Sequence, residues 1–307
     1  MSLAFISHAD VGRHDTGWHH PEHVGRIRAI TSALKYHPDL FMSLALLEGR
    51  AATEAELALA HDPAYVTRVR TLAAQGGGRL DADTVVSAGS WDAGIAGAGS
   101  VLEGMARVLD GRAARAFAAV RPPGHHALRD QGMGFCLFGN VAIAAHAARR
   151  AGVDRVLIVD WDVHHGNGTQ ALVEHDPTIR FVSMHQWPWY PGSGAAEDRG
   201  PHGSVWNVPM APGLAAARYR EALLGAVDAA TEGWRPDLVL LSAGFDCLAG
   251  DPLGGFTLEI DDIAALTRAV VTRAERWCGG RVVSALEGGY VPERVAQAVV
   301  AHLTALQ

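Results

Sequence analysis

An unbroken apolar run, Val156-Leu157-Ile158-Val159, leads directly into the polar string Asp160-Trp161-Asp162-Val163-His164-His165-Gly166-Asn167-Gly168-Thr169. Consecutive large apolar residues without polar alternation mark a strand covered on both faces, which calls for a sheet with helices on each side. The glycines end the strand abruptly and crowd two carboxylates and two imidazoles onto its carboxyl end. In open parallel sheets ligands bind at that edge, where loops converge without disturbing the core. Read as a continued strand, Asp160, Asp162 and His164 alternate to one side. Two of the three would then bind one cation, and the third would orient them.

The rest of the chain supplies the frame. Of 307 residues, 49% are hydrophobic and 19% charged, the composition of an ordinary globular protein with ample core. No low-complexity segment, long charge run or solenoid-period repeat divides it, so residues 1–307 read as a single domain. The formal charge of −7 speaks against a general nucleic-acid-binding surface. Nothing resembles a membrane span, and the first residues lack the basic and apolar regions of a signal peptide, so a cytoplasmic protein is expected. Cys136, Cys247 and Cys278 are too few and scattered for a disulfide framework.

Buried strands are expected at 117–120, 156–160, 180–184, 238–242 and 282–286, with Ala- and Leu-rich helices at 90–109, 140–151, 215–231 and 259–277. This alternation predicts an α/β fold with a parallel sheet. Four of the strands run into polar or glycine-rich turns: Arg121-Pro122-Pro123-Gly124-His125-His126, the Asp160 string, Ala243-Gly244-Phe245-Asp246, and Glu287-Gly288-Gly289-Tyr290. Parallel strands would bring all four to one edge, in one pocket.

The residue types there suggest hydrolysis. Two aspartates and a histidine form a hard, anionic ligand set, and three protein ligands leave a position open for water and substrate. Asp162, His164 and Asp246 are the expected ligands. A cation so held lowers the pKa of bound water from about 16 toward roughly 7. His125 and His126 sit on a loop stiffened by Pro122-Pro123 and are the candidate bases, with Asp160 and Asn167 available to fix their tautomers. Tyr290 offers a phenol to an oxyanion as it forms.

The strings RPPGHHA, GFCLFGN, VDWDVHHGNGTQ, GFDCLAGDPLGG and LEGGY, with HPEHVGRI near the N-terminus, resemble those of the zinc-dependent histone deacetylases. They are similar also to the bacterial relatives of that family, the acetylpolyamine amidohydrolases and acetoin-utilisation proteins. The resemblance covers nearly the whole chain. It implies the arginase-like α/β fold, an eight-stranded parallel sheet flanked by helices. It assigns Asp162, His164 and Asp246 to one catalytic zinc, with iron(II) as the alternative. It makes His126 the general base and the acid for the leaving amine, with His125, paired with Asp160, assisting electrostatically and Tyr290 polarising the acyl carbonyl. Asn167 stands where many members carry aspartate, as in the second class of the family. A structural potassium ion is implied too, bound by Asp160, the Ser183 hydroxyl and backbone carbonyls including those of Asp162, His164 and Met184.

The same matching outlines a tunnel. Gly134, Phe135 and Tyr190 would wall it, with Trp187 and Trp189 as rival aromatics in a loop that departs from the family wording; Gly288 would line its inner end. Asp83 aligns with an aspartate that binds the substrate backbone in several relatives. Leu253 occupies the position that polyamine-selective members fill with glutamate. An acetylated lysine or a small acetylated amine is therefore the implied substrate, with no nucleic-acid or membrane partner. No segment specifies an oligomeric state.

Plainer readings compete with each assignment. A single Asp or His at a strand end is more often a cap than a ligand, and Phe135 and Tyr190 are the kind of residues that fill cores or rims. Only the whole constellation favours catalysis. The cluster His14, His19, His20 and His23 has no common metal spacing, and His20-Pro21-Glu22 with Arg26 matches a family motif near the deep end of the site. Cys136 reads as core filling. A ureohydrolase would need further metal carboxylates in Asp-x-His-x-Asp order, whereas Asp162-Val163-His164 is followed by His165-Gly166, and a catalytically idle acyl-binding module would not need both histidines and Tyr290.

Overall fold

The computed structural model describes residues 2–307. Eight strands form one parallel sheet: β1 (Leu3–Ser7), β2 (Leu44–Glu48), β5 (Arg115–Ala118), β6 (Val156–Asp160), β7 (Ile179–Gln186), β8 (Val205–Met210), β9 (Leu238–Ala243) and β10 (Val282–Leu286). A short antiparallel pair, β3 (Gly77–Arg79) and β4 (Val85–Ser87), stands apart. The helices are α1 (Gly25–Lys35), α2 (Pro38–Ser43), α3 (Glu54–Leu57), α4 (Pro63–Ala74), α5 (Ser90–Leu109), α6 (Asn140–Arg150), α7 (Asn167–Val173), α8 (Ala216–Thr231), α9 (Ile260–Cys278) and α10 (Pro292–Leu306).

The strand order is β2-β1-β5-β10-β9-β6-β7-β8. From β5 the chain skips two places to β6, winds outward through β7 and β8, then returns to fill the gap with β9 and β10. The winding reverses beside β6, so the carboxyl ends of β5, β10, β9 and β6 surround a switch point, the place where open α/β sheets hold ligands.

Side-chain alternation builds two cores from the same strands. Leu157 and Val159 of β6 and Val239 and Leu241 of β9 join the apolar faces of α1, α8, α9 and α10. Val156, Ile158, Leu238 and Leu240 point the other way, toward α4, α5 and α6. Every residue of β6, β9 and β10 is buried, as the unalternating apolar runs require.

The expected helices recur within a residue or two. Glu259 proves to be the cap of α9: its N–H donates to the Asp262 carboxylate at 2.9 Å, and its carbonyl accepts from the N–H groups of Asp262 and Ile263. The first expected strand is displaced toward the N-terminus: the ladder ends at Ala118, Ala119 donates a last hydrogen bond to Ile6, and the chain then turns out toward Arg121-Pro122. One geometric expectation is corrected. Strand β6 ends at Asp160, so Asp162 and His164 do not project by strand alternation. Instead each N–H donates to the carboxylate two residues earlier, Asp162 to Asp160 and His164 to Asp162, both at 3.0 Å. Two successive Asx-type turns wind the ligands over the strand end.

Candidate metal centre and active site

Three ligand atoms, one each from Asp162, His164 and Asp246, lie within 4.8 Å of one another in a buried cluster. His164 Nδ1 is 3.0 Å from Asp162 Oδ1 and 3.3 Å from Asp246 Oδ2. The second oxygen of each carboxylate is held from behind: Val163 N–H donates to Asp246 Oδ1 at 2.8 Å and Gly288 N–H to Asp162 Oδ2 at 2.8 Å. A Cβ at position 288 would stand 2.0 Å from Asp246 Oδ2, so only glycine brings β10 this close.

The donor set fits a divalent ion. Asp246 Oδ2 is buried without a hydrogen-bond partner, an arrangement costly for an acceptor unless a cation satisfies it. The field agrees. Burial disfavours the His164 imidazolium, yet Asp162 and Asp246 push its pKa up to about 10, while burial and the Asp162 charge push Asp246 up to about 7. Asp160 on β6 is in register with Ser183 on β7, and Met184 follows it. These, with the Asp162 and His164 backbone, are the residues matched to potassium.

Two imidazoles lie side by side next to the ligands, ring centres 4.0 Å apart, with different partners. His125 Nδ1 is 3.0 Å from Asp160 Oδ2, and its Nε2 is 3.6 Å from Asp162 Oδ1. Burial works against its charge, but Asp162 and Asp160 outweigh it and raise His125 well above the ordinary histidine value. His126 Nδ1 is 2.7 Å from Asn167 Oδ1, a neutral partner. Burial, then the charges of His125 and His164, lower its pKa well below the ordinary value. The sheet edge thus places a cationic imidazole next to a neutral one, the separation that acid and base roles require.

A cavity of about 210 Å³ opens above, walled by Asp83, His126, Gly134, Phe135, His164, Trp189, Tyr190, Leu253 and Tyr290. Tyr190 stands edge-on to His126 and His164, with ring centres 5.1 and 6.0 Å away. Trp189 joins the wall and Trp187 does not, which resolves the rival aromatics. Phe135 faces Tyr290 edge-on at 5.8 Å. To reach there Phe135 adopts a left-handed φ of 69°, which costs a non-glycine residue about 1 kcal/mol or more. Gly134 precedes it at φ 54°, and a Cβ there would meet the His126 ring at 2.3 Å. Asp83 accepts from Gly134 N–H at 3.2 Å and from the Thr84 hydroxyl at 2.8 Å. Gly288 lies against the ligand carboxylates rather than in the wall.

Three candidate metal ligands, a pair of buried histidines and a tyrosine thus meet at an aromatic-walled cleft. The family model described as "Histone deacetylase domain" matches residues 20–306. The chain belongs to the histone deacetylase family. An uncharacterized protein of Synechocystis is 44% identical over 308 residues, covering 99% of both chains. A Pseudomonas aeruginosa protein named histone deacetylase-like amidohydrolase is 42% identical over 253 residues, 80% of this chain and 66% of that one. A probable deacetylase of Archaeoglobus fulgidus is 33% identical over 298 residues, 95% of this chain and 82% of the other. The crystal structure of the HDA15 HD domain superposes with a TM-score of 0.94 at 34% identity, covering 99% of this chain and 88% of that one. Family membership supports deacetylase or amidohydrolase chemistry with a metal ion.

The structure adds residues that sequence reasoning left without a role. Glu287, fully buried, accepts from Gly124 N–H at 2.6 Å, His125 N–H at 3.2 Å and the Ser242 hydroxyl at 3.1 Å, so one carboxylate ties the ends of β10 and β9 to the histidine loop. Burial pushes it up to about 7. Beneath it, Glu22 pairs with Arg121 at 2.8 Å and Arg26 at 3.2 Å, all without solvent exposure. Arg26 reaches the carbonyls of Glu287 and Gly289, so this N-terminal segment supports the loop that carries Tyr290. The signals were present, since Glu287 ends an apolar strand and Glu22 lies in a quoted motif, but their partners are remote in sequence.

Proposed function

We propose that the chain, as one domain over residues 1–307, is a zinc-dependent amidohydrolase that removes acetyl or other acyl groups from the ε-amine of lysine or a similar alkylamine. The observation that carries this reading is the convergence of Asp162, His164 and Asp246 with the paired imidazoles of His125 and His126, beside a cavity that His126, His164 and Tyr290 line. Bound by those three residues, zinc, or iron(II) in its place, supplies Lewis-acid polarisation of the acyl carbonyl and a more acidic water.

The chain's own groups do the rest. His126, kept neutral by burial and by its charged neighbours, accepts the water proton at Nε2 and returns it to the departing amine, while Asn167 fixes its tautomer at Nδ1. His125, charged against Asp160, offsets negative charge as it develops. Burial holds the Tyr290 phenol protonated well above its ordinary pKa, ready to donate to the carbonyl oxygen. The rings of Phe135 and Tyr190 flank the methylene chain, Asp83 meets the substrate backbone at the mouth, and Leu253 forms part of the rim. Asp160, Ser183 and the carbonyls of Asp162, His164 and Met184 would hold potassium, whose charge would compensate the buried Asp160.

The substrate is an acetylated lysine or small acetylated amine, with acetylpolyamines the alternative, and neither nucleic acid nor membrane takes part. A net charge of −7 and cysteines without a disulfide are in keeping with a cytoplasmic setting, and no described helix is long and apolar enough to cross a membrane. The test is turnover of a fluorogenic acetyl-lysine substrate by the wild type, His126→Ala and Tyr290→Phe. Both variants should lose about a hundredfold in kcat or more while keeping the fold, because both groups act mainly in the transition state. Near-normal turnover in either would remove that residue from the mechanism.

A further inference from the structure

We infer that Asp251 and Trp189 are positioning residues which tie the rim of the cavity to Tyr290 through one chain of hydrogen bonds. The inference rests on the deacetylase reading of Tyr290 given above. Asp251 lies five residues beyond the metal-ligand candidate Asp246 and is almost fully buried. Its two oxygens serve two different segments: Oδ2 accepts from Tyr290 N–H at 2.7 Å, and Oδ1 accepts from Leu253 N–H at 2.9 Å. The Leu253 carbonyl in turn accepts from the Trp189 indole N–H at 2.7 Å. Three bonds thus connect the aromatic mouth loop, the rim leucine and the backbone of the phenol.

Local chemistry gives this chain its importance. Tyr290 follows Gly288 and Gly289, the latter at φ 115°, so no preceding side chain anchors it. Its backbone is fixed from one side by Arg26, on the carbonyls of Glu287 and Gly289, and from the other by Asp251 on its own N–H. A carboxylate buried as Asp251 is costs free energy, and its recorded partners are backbone N–H groups rather than a cation, so it is placed to hold backbone. Trp189 is 44% exposed. Water could satisfy an indole N–H there, yet the bond to Leu253 is made, and it holds the ring in the wall of the cavity. Because each hydrogen bond of this chain to Leu253 and Tyr290 is made to backbone, the side chain at position 253 remains free to set selectivity without disturbing the chain.

The consequence is that a change at the rim alters the chemical step. Trp189→Phe keeps an aromatic side chain in the wall and removes the indole N–H together with the five-membered ring that carries it; Asp251→Asn keeps the shape and leaves one acceptor for two donors. With an acetyl-lysine peptide, kcat should fall by roughly three- to tenfold in the first and by about tenfold or more in the second, since small misplacements of a reacting group are expensive. In a Tyr290→Phe background, Trp189→Phe should change the residual kcat by less than about twofold, because the group it positions is gone. A rise in KM with kcat untouched, or the same loss of kcat in the Tyr290→Phe background, would overturn the inference. Amide hydrogen exchange of segment 286–291 in the full chain gives a reading that needs no turnover. Exchange should quicken in both variants, and unchanged protection would overturn the link even in an active enzyme. Absent wild-type turnover with quickened exchange would instead overturn the deacetylase reading and leave the physical link standing.

Discussion

Asn167 is the neutral partner of the His126 imidazole. Its amide oxygen, 2.7 Å from His126 Nδ1, fixes the ring without a charge, whereas a carboxylate there would favour the imidazolium. Burial and the neighbouring His125 and His164 already lower the His126 pKa. Asn167→Asp should therefore raise it, and the acidic limb of the kcat/KM profile should move to higher pH. A limb that stays in place or moves down would show that another group titrates there. At this scale the sequence was legible where chemistry is dense within a few residues: the ligands of the Asp160 string, the paired histidines and Tyr290 are each part of a short motif. Glu287 and Asp251 were not, because their roles consist mainly of accepting backbone N–H groups, up to 163 residues distant for Glu287 and Gly124. A carboxylate that holds backbone leaves no side-chain partner to find in the sequence.

Among the elements, α10 carries a buried histidine that the chemistry does not use. His302 has no solvent exposure and lies between Thr267 of α9 and Ser284 of β10, at 2.7 and 2.9 Å. Burial lowers its pKa from 6.5 to about 3. A depressed histidine is neutral in the folded chain and charged when unfolded in acid, so the unfolded state binds the extra proton. Its contribution to stability is full above pH 6.5 and is lost as the pH falls from 6.5 toward about 3. His302→Gln should flatten the dependence of unfolding free energy on pH in that window by up to one proton, measured by denaturant titration at several pH values. An unchanged slope would show that other histidines dominate, such as His14 and His61, both lowered to about 4 by burial. The central strands were readable because two-sided burial writes them as unbroken apolar runs. β2 was not, since its edge position leaves alternate residues open to solvent, and β8 was obscured by Asn207 and Pro209 within a half-buried strand. β1, five residues long, was likewise not read from the sequence.

For the whole molecule, the reversal of strand order gathers a site from four loops, and the rim then selects what enters. Leu253 presents an apolar side chain where a glutamate would attract a distant ammonium, and Asp83 is the carboxylate that remains in the wall. A charge pair at a partly desolvated mouth is worth about one to a few kcal/mol, enough for tenfold or more in selectivity. Acyl-lysine should be preferred over acetylspermidine and acetylputrescine, and Leu253→Glu should shift kcat/KM toward the polyamines. A wild type that prefers acetylpolyamines would transfer their recognition to another acid, Asp83 first. The topology was legible only through the family resemblance, because composition and periodicity indicate a parallel sheet but not which strands adjoin. The most direct test of the account is metal content measured together with acetyl-lysine turnover in the wild type and Asp246→Ala. The account requires one zinc-like ion per chain with amide hydrolysis, both lost in the variant; two manganese ions with guanidine hydrolysis, metal without chemistry, or an active and metal-replete variant would contradict it.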